Sequence, residues 1–525
     1  MKNIFQSLSL ALGTLGLAGA AYAQVPSSND TSDANKNTGM GTGSLGGPAA
    51  TNSGLYNTAA GYQSLYSNTA NANTAIGYWA LFYNTTGSYN TASGENTLYY
   101  NTTGTYNTAV GSGALYANST GGSNTAVGFA ALYANGASQN SALGYQALNS
   151  DETGDQNTAV GYDAMLSNNG TDNTAIGWEA LESNTTGNQN TASGSSALAS
   201  NTTGSSNVAF GFGSLYRSNG SANTASGWQA LNYNTTGSNN TAAGYDALVS
   251  NTTGNNNPAF GYDALYSNTG GNYNNASGYY ALHNNSSGSQ NSAMGVQALY
   301  GNKTGNYNTA SGTDALYSNT TGSTNIAEGY KAGYNLTTGS NNIDIGNLGV
   351  AAESGAIRIG TTSTQKTTYI AGIYGTSVTG SAVVVSSTGQ LGVTVSSERY
   401  KTAITPMGSY TAKLAQLRPV TFHLKNDPNG ALQSGLIAEE VAKVYPDLVI
   451  RDQNGRIDGV RYNELAPMLL NEVQKMTVAE VEKNAAQEKQ NAAQAAEIRD
   501  LKQQVAKMHA ALLKLLSKDE RVAQR

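Results

Sequence analysis

Residues 240–254 read NTAAGYDALVSNTTG, and close relatives of this phrase fill more than half of the 525-residue chain. Aligned on the Gly of NTAxG, the copies run from Gly61, Gly77 and Gly94 to Gly346, at intervals of 16 or 17 residues. An Asn stands four residues before each of these glycines, from Asn57 to Asn342. Ala stands two before it in every copy but the last, where Asp344 intrudes, and Leu usually stands four after it. So short and sparsely charged a phrase cannot enclose a core alone. Its copies have to build one together.

The period selects the architecture. Sixteen or seventeen residues are too few for the helix pair of an α-helical repeat, and they suit one coil of a β-solenoid with two short strands and two turns. In such a coil the recurring Ala points into a tight interior. The Gly supplies a backbone conformation or a close approach that a Cβ forbids. NTTG reads as a turn in which Asn and Gly tolerate positive φ, and equivalent Asn side chains stack into an amide ladder along the axis. At about 4.8 Å per coil the array makes a shaft roughly 80 Å long.

Composition agrees. Charged residues are 11% of the chain, with 62 Gly, 33 Tyr and 7 Phe. Disordered chains are usually charge-rich and poor in aromatics. A net charge of −6 gives no basic patch for nucleic acid. Cysteine is absent, which removes disulfides and thiolate metal sites. No cofactor or metal is expected. The N-terminus, MKNIFQSLSLALGTLGLAGAAYAQ, has a Lys at position 2, an apolar run and a small-x-small end at Ala21 and Ala23. It reads as a secretory signal cut before Gln24, and no other segment is long and apolar enough for a membrane helix. The expected location is outside the cell or on its surface.

The NTAxGYxAL…NTTG array resembles the head repeats of trimeric autotransporter adhesins, which form parallel β-rolls in three-chain bundles. The resemblance spans residues 57–346. It implies a homotrimer that meets surface glycans or host or matrix surfaces, here as a head without the family's membrane-barrel anchor.

Within the array the acids Asp163, Glu179, Asp246 and Asp263 share one coil position and are expected to form a solvated stripe. The sharper alternative is a glycosidase-like carboxylate pair on a tailspike-like solenoid. The Tyr after the repeat Gly, as at Tyr62, Tyr78, Tyr162, Tyr245 and Tyr262, are expected to stack on one another, with a sugar-binding aromatic surface as the alternative. The NTT and NST sequons read as turns.

After Gly346 the period breaks. Residues 347–395 are β-branched and Gly-punctuated, a neck of short strands. From Ser396 onward charges, Leu and helix formers return. Across that boundary lies VTVSSERYKTAITPM. Ser396 and Lys401 are a hydroxyl and an amine five residues apart, the ingredients of a Ser–Lys dyad, although spacing alone favours solvated loop residues.

The successive segments SSERYKTAI, LAQLRPVTFHLK, GLIAEEVAKVYPDLV and VRYNELAPMLLNEVQK resemble the intramolecular chaperone, auto-processing domain of phage tailspikes and endosialidases, the peptidase S74 family, over residues 396–475. That resemblance implies a domain that trimerises, helps the β-rich part assemble and then releases itself. Ser396 would be the nucleophile, Lys401 the base, and the bond between Val395 and Ser396 the one cut. Two positions depart from the frequent S-D-x-R-L-K form: Ser397 replaces the acid and Tyr400 the Leu. They leave an uncut domain open as an alternative.

Further on, Ile498, Leu501, Val505, Met508, Leu512 and Leu515 alternate at three and four residues, a heptad seam; Val478, Val481, Ala485, Ala492 and Ala495 make a weaker one. The expectation is therefore a mainly β chain. It has a signal peptide at 1–23, a low-complexity leader at 24–53 and a trimeric parallel β-roll shaft at 54–346. A neck at 347–395, a small α+β chaperone and autocatalytic cleavage domain at 396–475 and a coiled coil at 476–525 follow. As a whole it is a tail-fibre-like or adhesin-like fibre; the alternatives are an uncleaved surface filament and a glycan-binding or glycan-degrading tailspike-like protein.

Overall fold

The structure, a computed structural model, describes residues 31–46, 53–362, 364–370, 382–386, 388–393, 395–452 and 454–522. The expected signal sequence at 1–23 and residues 24–30 and 47–52 of the expected leader lie outside them. The chain divides into two compact units, Met1–Ile370 and Ala371–Arg525.

The first unit is a parallel β-solenoid. Twenty three-residue strands, from Thr38–Met40 to Ile357–Ile359, pair in parallel, each with the next, and Thr31–Ser32 adds one antiparallel partner at the start. The register is strict: in the coil opened by Asn240, Ala242 lies over Ala225 on one side and under Ala259 on the other. The ladder runs past both ends of the sequence repeat. Thr38–Met40 carries Gly39 in the Ala column, and Ile357–Ile359 carries Arg358 there.

One coil shows why these residues form it. Ala242, Ala247 and Leu248 are fully buried and join their counterparts in the other coils in one continuous core. Gly244 has φ +147°, and a Cβ on it would meet the carbonyl of Gly261 in the next coil, so close approach and backbone shape both demand glycine. Three non-glycine residues of the coil, Asn239, Asp246 and Leu248, are also left-handed at φ +59°, +50° and +53°. Each such residue costs about 1–2 kcal/mol. Burying a leucine returns about 1.5–3 kcal/mol, so the core residue sustains its own strained backbone.

These left-handed residues correct two expectations. Only one strand per coil forms among the described residues, because positive φ at the second and fourth residues after Gly breaks extended geometry. The coil-to-coil backbone bonds continue there regardless, as from Leu248 N–H to the carbonyl of Ala264 at 2.9 Å. The Asn and Gly of NTTG, in turn, do not adopt positive φ. Gly237 is required because a Cβ would collide with the Gly254 carbonyl and with the Asn234 and Asn251 side chains.

Those asparagines form not one amide ladder but two. Asn251 donates through Nδ2 to Asn234 Oδ1 at 2.7 Å and to the Gly254 carbonyl, and its own Oδ1 accepts from Asn268 at 2.8 Å. In the second ladder the Asn240 backbone N–H donates to Asn223 Oδ1 at 3.0 Å while Asn240 Nδ2 reaches the Gly254 carbonyl at 2.8 Å. A buried amide left unpaired costs about 1–3 kcal/mol. Here repetition pairs most rungs with the same rung one coil away.

In the second unit, residues 382–395 contribute an antiparallel hairpin, Val383–Val385 with Leu391–Val393. A 3-10 helix, Gly408–Gln416, is followed by the pair Val420–Phe422 and Gln433–Gly435, then α1 (Ala438–Val444) and the hairpin Val449–Arg451 with Ile457–Val460. The last element is α2, Tyr462–Val522, which carries the end of the expected chaperone segment and the expected coiled coil in one helix. The core is small: Val441, Tyr445, Leu448, Val449, Val460 and Met468.

Candidate active site

The solenoid supplies two groups of candidate residues, the acids and the aromatic rings. The acids do not make the solvated stripe expected. Asp263 is buried, Asp163, Glu179 and Asp246 are half-buried, and one carboxylate oxygen of each of the three aspartates is enclosed without a hydrogen-bond partner. Their position lies within the coil-to-coil backbone ladder, where Asp246 N–H donates to the Trp228 carbonyl at 3.0 Å. Burial lifts the pKa of all four above the usual carboxylate range. Among the described residues no group of three His, Asp or Glu side chains is placed to hold a metal ion.

The aromatic residues stack as expected. Tyr245 lies parallel to Trp228 at 6.3 Å and to Tyr262 at 5.1 Å, both within 6°. A second row runs Tyr66, Phe82, Tyr99, Tyr116, Tyr133, at 4.8–5.4 Å between successive centroids. Stacking occupies ring faces with ring faces and leaves edges to solvent.

The other candidate site lies at the start of the second unit's charged segment. Ser397 is extended (φ −65°, ψ 141°) and opens a single 3-10 turn, Glu398–Tyr400, closed by Tyr400 N–H to the Ser397 carbonyl at 3.0 Å and Lys401 N–H to the Glu398 carbonyl at 2.9 Å. After one tight turn the chain resumes an extended path at Lys401. The two side chains flanking that turn meet: Lys401 Nζ donates to Ser396 Oγ at 3.0 Å. The hydroxyl also belongs to the residue that follows Val395, so it sits beside the carbonyl of the bond expected to break.

Peptidase S74, the chaperone of endosialidase, matches residues 396–450. The match opens on Ser396 itself. No curated protein and no solved structure matches the chain. A parallel β-solenoid followed by an S74 chaperone domain fits a tail-fibre-like protein.

The segment matched by the S74 model, and the start of the helix that follows it, are held by bonds that sequence inspection did not single out. Tyr445 Oη accepts Lys413 N–H at 3.1 Å and donates to the Tyr410 carbonyl at 3.1 Å, tying α1 to the 3-10 helix. Buried Thr411 bonds Glu472, Asn471 and Lys475 of α2. The i, i+3 spacing of Glu472 and Lys475 is the only trace of that cluster in the sequence. Arg418 and Glu440 form an exposed two-bond ion pair, screened by solvent. Ser396 and Lys401 are both exposed in the single chain.

Among the described residues no helix is long and apolar enough to cross a membrane.

Proposed function

We propose that the chain is an exported fibre of three parallel copies, whose C-terminal domain aligns the chains and then cuts itself away between Val395 and Ser396. The carrying observation is the 3.0 Å contact of Lys401 Nζ with Ser396 Oγ across one turn, at the first residue of the S74 match. With Lys401 neutral, the amine takes the hydroxyl proton as Oγ attacks the Val395 carbonyl carbon. The Val395–Ser396 C–N bond breaks, the proton passes to the departing Ser396 amine, and an ester joins Val395 to Oγ. Water then hydrolyses the ester, leaving a Val395 carboxylate and a free Ser396 hydroxyl. A lysine becomes a base when burial strips its water, and the single chain offers Lys401 no such cover.

The assembly role has its own physical reason. Long parallel β-structure with near-identical coils folds slowly and slips register easily, and a compact domain joining three chains at one end sets the starting alignment. The released fibre is then kinetically trapped. Its outward role is adhesion to surface glycans or host or matrix surfaces, and its secretion rests on the signal peptide read at 1–23. The exposure of both dyad residues favours one competing reading, a permanent uncut cap on a structural filament.

Intact mass spectrometry of the expressed chain and of Ser396→Ala decides between them. Cleavage predicts two wild-type fragments, one ending at Val395 and one starting at Ser396, with the variant whole. A wild type that stays whole overturns the autoprocessing reading.

A further inference from the structure

The end of the shaft departs from its repeating pattern at two inward positions. Asp344 stands in the column that Ala fills in every earlier repeat, and Gly333 stands where the earlier repeats carry Leu or, once, Met. Asp344 is 2% exposed, and its Oδ2 is enclosed without a hydrogen-bond partner. That oxygen lies between two glycines: a Cβ on Gly349 would stand 3.0 Å from it, and one on Gly333 3.4 Å. Strand pairing sets Arg358 opposite Asp344, where earlier coils set Ala opposite Ala. Arg358, however, directs its guanidinium to Glu353, through Nε to Oε2 at 2.7 Å and Nη2 to Oε1 at 2.6 Å. A buried carboxylate is thus left beside a cation that is bonded to another acid.

The coil that closes over Asp344, residues 346–360, is also loosely stacked. Its ladder bond from Ala356 N–H to Asn342 Oδ1 spans 14 residues, against 17 for the bond from Asn342 N–H to Asn325 Oδ1. Earlier repeat glycines lie hard against the next coil, as at Gly312, where a Cβ would stand 2.5 Å from the Gly329 carbonyl oxygen. At Gly329 the nearest such atom is 3.6 Å away, and at Gly346 nothing lies within 4 Å. Backbone bonds of 2.7–3.0 Å fasten the coil to the one beneath. They run from the N–H groups of Gly333, Asn335, Ile343, Gly355 and Gly360 to the carbonyls of Asn347, Leu348, Ala356, Ser340 and Ile345, in that order.

We propose that residues 346–360 are a proton-controlled clasp: with Asp344 neutral the coil lies closed over the Ala column, and with Asp344 ionised it loosens from the coil beneath. An ionised carboxylate enclosed without a partner is costly, and movement of this coil is what brings it water or the Arg358 guanidinium. The charged groups that bear on Asp344 are Glu353 and Arg358, both from the closing coil. Around Gly333 lie Leu316 and Ala327, which carry no charge. Burial, and then the Glu353 charge, push the Asp344 pKa up to about 6 from the usual 3.8, and Arg358 offsets only part of this. Because the closed state has the higher value, its advantage is complete below about pH 4, declines as pH rises, and is lost above about pH 6.

Amide hydrogen exchange of the full chain, followed by mass spectrometry at pH 5 and pH 8, tests the clasp. Glu353, held below the usual carboxylate range by Arg358, stays ionised across that window. After correction for intrinsic exchange, opening at the amides of Gly333, Asn335, Ile343, Gly355 and Gly360 is expected to rise about tenfold from pH 5 to pH 8. The Leu115 amide, in a coil without acids, should keep its protection. Asp344→Ala restores the residue of the earlier coils and should abolish the rise; Asp344→Asn, which keeps the size without the charge, should do the same. Equal opening at both pH values in the wild type overturns the proposal. So does a rise that persists in both variants, which would assign the response to Glu353 and Arg358, or one that Leu115 shares in full, which would mark general loosening of the shaft.

Discussion

The solenoid and α2 use the same apolar residue types to opposite ends. In the solenoid Leu248 and its fifteen counterparts from Leu65 to Leu316 (Met165 in one coil) are fully buried within one chain, because each coil is roofed by the next. In α2 the leucines and valines of the seam stay more than half exposed over some fifty residues, with nothing among the described residues to cover them. Repetition lets the solenoid complete its core, ladders and aromatic stacks without help. A lone amphipathic helix has no such recourse, and its apolar stripe can be buried only by another molecule. If the chain assembles as proposed, the difference locates the assembly information: the self-sufficient unit carries little, and the incomplete one carries most.

The comparison is broken most directly at the seam. Leu501→Asp with Leu512→Asp is expected to abolish association and leave one copy by light scattering, while circular dichroism of the solenoid is unchanged. Loss of solenoid structure in the same variant would show that the two units are not separable as described.

Next in size is Gly244→Ala, which adds a Cβ against the Gly261 carbonyl at a backbone angle L-residues avoid. We expect a loss of about 3 kcal/mol or more, read as a lower thermal midpoint together with faster amide exchange in coils on both sides of the change. Exchange confined to one coil would mean the coils are not coupled through their ladders.

Smallest is a repair. Asp151 stands where other coils have a ladder Asn; it is buried, accepts Gly154 N–H at 2.9 Å, and has no amide N–H to pass to Asn135. Burial pushes its pKa up to about 7 from the usual 3.8. Because the folded value is the higher one, ionisation opposes folding. The penalty is absent below about pH 4, grows as pH rises to 7 and is complete above it. Asp151→Asn is therefore expected to stabilise the chain by about 2–4 kcal/mol at pH 8 and hardly at all at pH 4. Equal stabilisation at both pH values would refute the titration account.

Much of this was legible without coordinates, and the reason is repetition. Eighteen recurrences of one Asn, one Ala and one Gly at fixed spacing leave a stacked coil as the one way to give each the same environment, so the Ala column, an Asn ladder and the aromatic stacks could all be read from spacing. Ser396 and Lys401 could be named as well, because the residue types and the family resemblance lie in one short segment. Other features required the folded chain. That Leu248 is left-handed, that NTTG glycines serve close approach and not positive φ, and that Asp263 is enclosed all depend on which backbone from the next coil passes over a residue. The meeting of Lys401 with Ser396 depended on a single 3-10 turn that spacing does not specify. A linear pattern states what recurs, while van der Waals contact between coils decides how each residue must bend to fit.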